Sequence, residues 1–446
     1  MLYALLRPFT NIFLRIFYRL QIKNLNTVPK NVPLVFLPNH VNAFIDPVII
    51  GMLTRRRIRF FARGDVFRGA LAKRVLESMN ISPMYRMSEG YSEVKKNDAT
   101  FEECRRLLME QKAILMFPEG ICIQEKRIKR FKKGLARILL GIEGNAQRDE
   151  IQLMAIGLNY SNAKNFRSRL FINFGTPFDI SAYAALYETD KVKAINDCTQ
   201  FMQDELEKVI VSLSHRENDE LYEAIAEIYV RQWMQEKGQD PKNQEAEYEQ
   251  NKNIAAMLNR FQHQEPERIQ AMKNKILPYF KTLDTLKLRD HLLRKDALEK
   301  MSLKSVLNDF FIMWFGLPLY WIGLVLNLLP YRIAKNMADE KAKNVEFRAS
   351  IYANLGMILW IVFYVLQLVL IRSLFHSPKL SLLWIFLVPL SGIYAIAFYP
   401  VMKKTFGRWR LLSLVRKNKD EAERLINERE EIVRLIRQEL NSAGFS

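Results

Sequence analysis

Val35-Phe36-Leu37-Pro38-Asn39-His40-Val41-Asn42-Ala43-Phe44-Ile45-Asp46-Pro47 sets a short apolar run against a polar break that carries a histidine and an aspartate. Read as a strand running into a loop, it is the first of a series. From Pro33 to about Phe178, similar runs recur at Ile58 to Ala62, Ile81 to Met84, Ile114 to Phe117, Leu153 to Leu158 and Leu170 to Phe174, with helical patterns between them. This alternation predicts an α/β domain with a mixed, largely parallel sheet. Open sheets of this kind collect ligands at the carboxyl ends of their strands. His40, and Glu119 within Phe117-Pro118-Glu119-Gly120, each follow such an end, so both are expected at one crevice. An imidazole oriented by a carboxylate is a base poised near neutral pH, suited to activating a hydroxyl. A lone histidine at a strand end reads more simply as a packed, hydrogen-bonded residue; the second motif is what argues for chemistry.

Outside this core the chain is basic, with a formal net charge of +19 over 446 residues, 49% of them hydrophobic and 26% charged. That length suits two or three units. The charge calls for an anionic partner: nucleic acid, a membrane surface or an acidic substrate. No nucleic-acid-reading module is recognisable, and apolar C-terminal runs select the membrane, so no nucleic-acid partner is expected. Cys104, Cys122 and Cys198 form no C-x-x-C pair, which predicts neither a disulfide framework nor a zinc site and fits a reducing cytosol. No histidine spacing resembles H-E-x-x-H, so no metal is expected.

Residues 1–28 are read as an amphipathic membrane-interface helix. Arg7, Asn11, Arg15 and Arg19 recur at four-residue steps among Leu5, Leu6, Phe9, Ile12, Phe13, Ile16, Phe17 and Leu20. Residues 29–180 form the α/β domain and 181–305 a charged helical accessory region, with a polar loop from Gly238 to Asn251. A membrane region covers 306–402. Its runs Phe310 to Leu329, Ile351 to Ile371 and Leu380 to Met402 are each long enough, at about 1.5 Å per residue, for a hydrocarbon core of roughly 30 Å. Gly316-Leu317-Pro318 interrupts the first run. Basic residues in 331–348 and from Lys403 onward both belong on the cytoplasmic side by the positive-inside tendency. The expected layout is a first run over 310–329 that is re-entrant, turning at Gly316 to Pro318, with a full transmembrane crossing as the alternative, then two transmembrane helices over 351–371 and 380–402 and a basic helical tail over 403–446.

Taken together these residues resemble the glycerolipid acyltransferase family over roughly 30–180. The commonest family motif is N-H followed by four residues and D. Here five residues separate His40 from Asp46, and His40, Asn42 and Asp46 match the H-x-N-x-x-x-D form of the branch that acylates glycerol 3-phosphate or dihydroxyacetone phosphate, a branch that also tends to carry a C-terminal membrane region. Phe117 to Gly120 resembles the acceptor-site block, although Ile121-Cys122 replaces the frequent Thr-Arg, and Phe131-Lys132-Lys133-Gly134 resembles its F-K-K-G continuation. Ala62-Arg63-Gly64-Asp65-Val66 is similar to A-K-x-E-L, and Ile81 to Arg86 to the block that ends in arginine. Ala155 to Tyr160 and Phe174 to Pro177 are similar to later, structural blocks.

The resemblance implies His40 as general base and Asp46 as its orienting partner. It also implies Asn42, Arg63, Arg86, Glu119, Gly120 and Lys133 around the substrates, with Arg63 and Arg86 as phosphate forks. The implied partners are an acyl thioester donor (acyl-CoA or acyl carrier protein), a glycerol phosphate acceptor and membrane lipids, with no cofactor. An integral membrane location follows, the catalytic domain on the cytoplasmic face. Lysophosphatidic acid is the competing acceptor, and an inactive membrane scaffold the competing class.

Overall fold

The computed structural model describes residues 11–12, 14–54, 56–85, 97–142, 150–163, 165–295, 303–341 and 345–445. They form two compact units, Met1–Ser212 with Lys343–Ser350, and Leu213–Ala342 with Ile351–Ser446.

The first unit runs β1 (Arg19–Lys23), β2 (Leu34–Pro38), α1 (Ile45–Leu53), β3 (Ile58–Arg63), α2 (Ala70–Ser78), β4 (Ile81–Met84), α3 (Asn97–Met109), β5 (Ala113–Leu115), α4 (Gly134–Leu140), β6 (Gln152–Tyr160), β7 (Arg169–Phe174), α5 (Ala184–Thr189) and α6 (Lys191–Glu207). Its seven-stranded sheet has the order β1-β7-β6-β2-β5-β3-β4. Every pairing is parallel except β6 with β7. β2 lies in the middle with all of its residues buried, as the unbroken apolar reading of a parallel central strand requires. Val35 and Leu37 send their side chains into a cluster with Leu107 and Leu108 of α3, Leu135 and Leu139 of α4, and Cys198, Met202 and Leu206 of α6. Each such apolar side chain contributes about 1.5–3 kcal/mol by its burial.

Two boundaries differ from the sequence reading. Arg19–Lys23 is an edge strand rather than the end of a helix; helical turns stop at residue 17, and Arg19 to Lys23 pair in register with Arg169 to Asn173 of β7. Leu14, Phe17 and Tyr18 are buried beside it while Ile12 and Ile16 are exposed. Residues 1–10 of the proposed interface helix lie outside the described residues. At the other end α6 belongs to the α/β core, because Ala194, Cys198, Met202 and Leu206 pack on the sheet, so the accessory region starts at Leu213 rather than at 181.

The second unit is helical: α7 (Asp219–Ile225), a π turn at Ala226–Val230, α8 (Arg231–Glu236), α9 (Gln244–Gln264), α10 (Pro266–Thr285), α11 (Leu303–Lys341), α12 (Val345–Phe375), α13 (Pro378–Lys417) and α14 (Lys419–Ser442). The loop expected to reach Asn251 ends at Asn243. Its side chain accepts hydrogen bonds from the N–H groups of Glu245 and Ala246 and so caps α9. The C-terminal segment is no free tail, since α14 buries Leu425, Ile432, Val433, Ile436 and Leu440. Its Arg429 forks onto Asp290, Nε to Oδ1 at 2.8 Å and Nη2 to Oδ2 at 3.0 Å, and Tyr279 donates to the same carboxylate at 3.0 Å.

Among the described residues three helices, Lys304–Glu340, Ile351–Phe375 and Pro378–Lys417, are long and apolar enough to cross a membrane. The first corrects the re-entrant expectation: α11 is one continuous 39-residue helix with Pro318 and Pro330 inside it. Gly316 does not turn the chain but admits a neighbour. A Cβ there would lie 2.1 Å from the Phe398 ring, and one on Gly323 would lie 2.1 Å from the Ser391 carbonyl oxygen, so these two glycines let α11 and α13 touch closely. Only the second and third apolar runs separate the two basic segments, so their charge carries no information about the path of the first run.

Candidate active site

β2 and β5 are adjacent and parallel, with Val35 opposite Ile114 and Phe36 opposite Leu115, so the segments that follow them leave the sheet side by side. Asn39 fixes the first segment to β6, donating to the Leu158 carbonyl at 3.2 Å and accepting from the Leu158 N–H at 2.7 Å. His40 then sits at the carboxyl edge, its ring stacked on Phe117 with centroids 3.7 Å apart.

The five residues between His40 and Asp46 are accommodated by a turn over 41–44, after which Asp46 enters the first turn of α1 and reaches back. Its Oδ2 lies 3.0 Å from His40 Nδ1 and accepts the N–H groups of Val41 and Asn42, both at 2.7 Å. Its Oδ1 accepts the Tyr160 hydroxyl at 2.8 Å. Asp46 is fully buried, and a carboxylate surrounded by donors holds the imidazole with its proton on Nδ1. Nε2 is then the basic atom, and among the described residues it has no hydrogen-bond partner. Tyr160 escaped sequence reading because it looked like the end of a structural strand. The parallel register of β6 on β2, with Ile156 opposite Pro38, carries it to the same edge. Next to a carboxylate and buried, the hydroxyls of Tyr160 and Tyr18 are held protonated well above the ordinary tyrosine range, burial being the larger cause.

Asn42 and Glu119, which the resemblance implies around the substrates, both make hydrogen bonds within the protein. Asn42 is buried, its amide 3.4 Å from both the Tyr18 hydroxyl and the Ala163 carbonyl, and its carbonyl accepts from Gln124 at 3.3 Å. These bonds shape the loop. Glu119, 5% exposed, accepts the His40 N–H at 3.2 Å through Oε1 and the Lys129 N–H at 3.0 Å through Oε2. Both oxygens are engaged in tying the histidine loop to the basic segment. Gly120 turns the chain with φ +69°, a left-handed conformation costly for other residues. Lys133 is exposed just ahead of α4, and Arg86 lies outside the described residues.

Burial raises the Glu119 carboxyl to about 7, against the opposing pull of the Lys129 and His40 N–H groups. A folded value above the ordinary 4.5 means that the fold prefers the protonated acid. The resulting stability is complete below about 4.5 and is lost as pH rises through about 7, a change of roughly 3 kcal/mol. Glu119→Gln removes that dependence but sets an amide donor against one of two N–H donors. One unmade buried hydrogen bond costs about 1–3 kcal/mol. Turnover should therefore fall by roughly 5- to 150-fold with the acceptor KM little changed, measured as initial rates between pH 5 and 9. A raised KM with normal turnover would instead mark Glu119 as an acceptor ligand.

Arg63 ends β3 and is paired with Asp65. Its Nε and Asp65 Oδ1 are buried without a hydrogen-bond partner in the described structure. A cavity of about 320 Å³ is lined by Asp65, Arg68, Lys73, Glu77 and Tyr85, among others. Arg68 and Lys73 are cations that motif reading passed over. β3 stands two strands from β2, about 10 Å at ordinary strand spacing. Among the described residues no group of three or more metal-ligating side chains occurs.

A His–Asp pair at the carboxyl edge of a largely parallel α/β sheet suits group transfer, and residues 19–146 match the family model described as Acyltransferase. The similarity to acyltransferases thus lies within this α/β unit. The chain is 31% identical over 231 residues to an uncharacterized acyltransferase of Schizosaccharomyces pombe, a match covering 50% of this chain and 32% of the yeast protein. It is 26% identical over 129 residues to glycerol-3-phosphate O-acyltransferase 1 of Saccharomyces cerevisiae, covering 28% and 17%. The chain thus spans a third or less of the length of these curated relatives. The crystal structure of the 1-acyl-sn-glycerophosphate (LPA) acyltransferase PlsC from Thermotoga maritima aligns over 45% of this chain and 78% of its own, at 13% identity and a TM-score of 0.33, too low a likeness to bear on the fold.

Proposed function

We propose that the protein transfers a fatty acyl group from a thioester, acyl-CoA or acyl carrier protein, to glycerol 3-phosphate or dihydroxyacetone phosphate at a membrane surface. The observation that carries this reading is the His40–Asp46 pair, with Nδ1 occupied and Nε2 available at the carboxyl edge of the sheet. Nε2 takes the proton of the acceptor hydroxyl as its oxygen attacks the thioester carbonyl. The C–S bond breaks, an ester forms, and the departing thiolate receives the proton from the imidazolium. Asp46 stabilises that cation without itself being protonated. The acceptor phosphate is assigned to the cavity that follows Arg63 in the chain, where Arg68 and Lys73 supply positive charge. The similarity to a glycerol-3-phosphate acyltransferase supports the free glycerol phosphate as acceptor. The apolar helices support a membrane-bound enzyme whose lipid product stays in the bilayer, and the absence of a C-x-x-C pair from the sequence supports a domain on the cytoplasmic face.

Purified full-length protein, offered labelled acyl thioester with glycerol 3-phosphate or with lysophosphatidic acid, should acylate the former preferentially. Preference for lysophosphatidic acid would move the enzyme one acylation later, and no transfer to either would leave the inactive scaffold.

A further inference from the structure

Three successive crossings by α11, α12 and α13 would make α11 and α13 run in the same direction. They run antiparallel. Asp309 pairs with Arg408 at 2.8 Å, Gly316 accepts from the Tyr394 hydroxyl at 3.3 Å, Gly323 abuts Ser391, and Asn327 donates to the Val388 carbonyl at 3.3 Å. Residue numbers fall along one helix as they rise along the other.

Three crossings would also put the chain before α11 opposite the chain after α13. Yet α14 packs on the elements that precede α11. Arg429 and Asp290, 3% and 2% exposed, form their ion pair between them, with Lys275–Glu431 and Arg268–Glu439 at the rim. Charged helices joined in this way share one aqueous side, since no hydrocarbon layer can run between them. The number of crossings from residue 295 to residue 419 is therefore even.

We infer that α11 and α13 are the two crossing helices, and that α12 begins and ends at one membrane face with its apolar surface laid into the acyl chains of that single leaflet. The inference rests on the bilayer placement of these helices. Only His376 and Ser377 separate α12 from α13, so α12 must finish where α13 starts. No residue in the most apolar window of α12 is buried, and Ile358, Ile361, Val365 and Val369 are more than half exposed, which suits lipid contact along its length. It touches the pair toward the end remote from Asp309–Arg408: the Trp360 indole donates to Asn327 at 3.0 Å and the Tyr364 hydroxyl to the Ile385 carbonyl at 2.6 Å. A helix apolar all round sits deeper than an amphipathic one, with Arg372 and Lys379 reaching the headgroups from the turn.

Single cysteines test this in the full chain in a Cys122→Ser background, Cys104 and Cys198 being fully buried. Glu340→Cys, Lys379→Cys and Lys419→Cys, all at exposed positions, would be labelled with a membrane-impermeant maleimide in sealed vesicles from expressing cells, before and after permeabilisation. Positions 340 and 379 should share one pattern and 419 show the opposite one, with a several-fold change in labelling on permeabilisation at whichever face is enclosed. Opposite patterns at 340 and 379 would overturn the placement of α12 while leaving the membrane reading intact. Identical patterns at all three would show that nothing crosses, and both would fall.

Discussion

His40→Ala should lower acyl transfer by about 10²- to 10⁴-fold, the span that positioned general-base catalysis ordinarily supplies. The substitution removes the ring that Phe117 stacks on and Asp46 orients, but it keeps the backbone N–H that donates to Glu119 and the carbonyl that accepts from Ile123, so the loop retains its ties. Sedimentation with membranes after alkaline extraction should match the parent protein, separating lost chemistry from lost attachment. Retention of more than a few per cent of the rate would reject His40 as the base. Asp46→Asn provides the companion test. Its amide would either oppose the Val41 and Asn42 N–H groups or turn to the Tyr160 hydroxyl, which can accept it, and in both orientations the imidazolium formed during transfer loses its countercharge. Loss of comparable size is expected, with KM for the thioester little altered.

The second large effect is structural. Arg429→Ala strands Asp290 in the interior of the helical unit with Tyr279 as its remaining side-chain donor. Removing one member of a buried pair typically costs about 3–5 kcal/mol, because the other charge stays desolvated. Burial already raises the Asp290 carboxyl from its ordinary range, opposed chiefly by the Arg429 charge, so deleting that charge should drive it further up. Thermal unfolding of the detergent-solubilised chain should begin several degrees lower. Arg429→Met combined with Asp290→Leu should recover much of the loss, since no unpaired charge then remains. An unchanged melt for Arg429→Ala would mean that solvent reaches Asp290.

How legible each feature was depended on the range of the interactions behind it. The strands at Leu34–Pro38 and Gln152–Tyr160 announced themselves because buried parallel strands are continuously apolar. β1 did not. Arg19-Leu20-Gln21-Ile22-Lys23 is an edge strand whose pairing with β7, far along the chain, overrode the helical period running into it. His40 and Asp46 were identified by residue type and spacing, since histidine and aspartate this close in sequence can meet through a local turn. The partners of Asp46 were another matter: Tyr160 arrives through the β2–β6 register.

By itself, the sequence determined the α/β class, the His–Asp pair and the presence of three apolar runs, all of which depend on local composition and period. Only the tertiary structure decided that Asn42 and Glu119 are spent on holding the loop, that Tyr160 supports the aspartate, that α11 does not turn back, and that α11 and α13 oppose one another. Each of those outcomes depends on contacts between residues distant in the chain, where packing and hydrogen-bond saturation choose among partners that composition leaves equivalent.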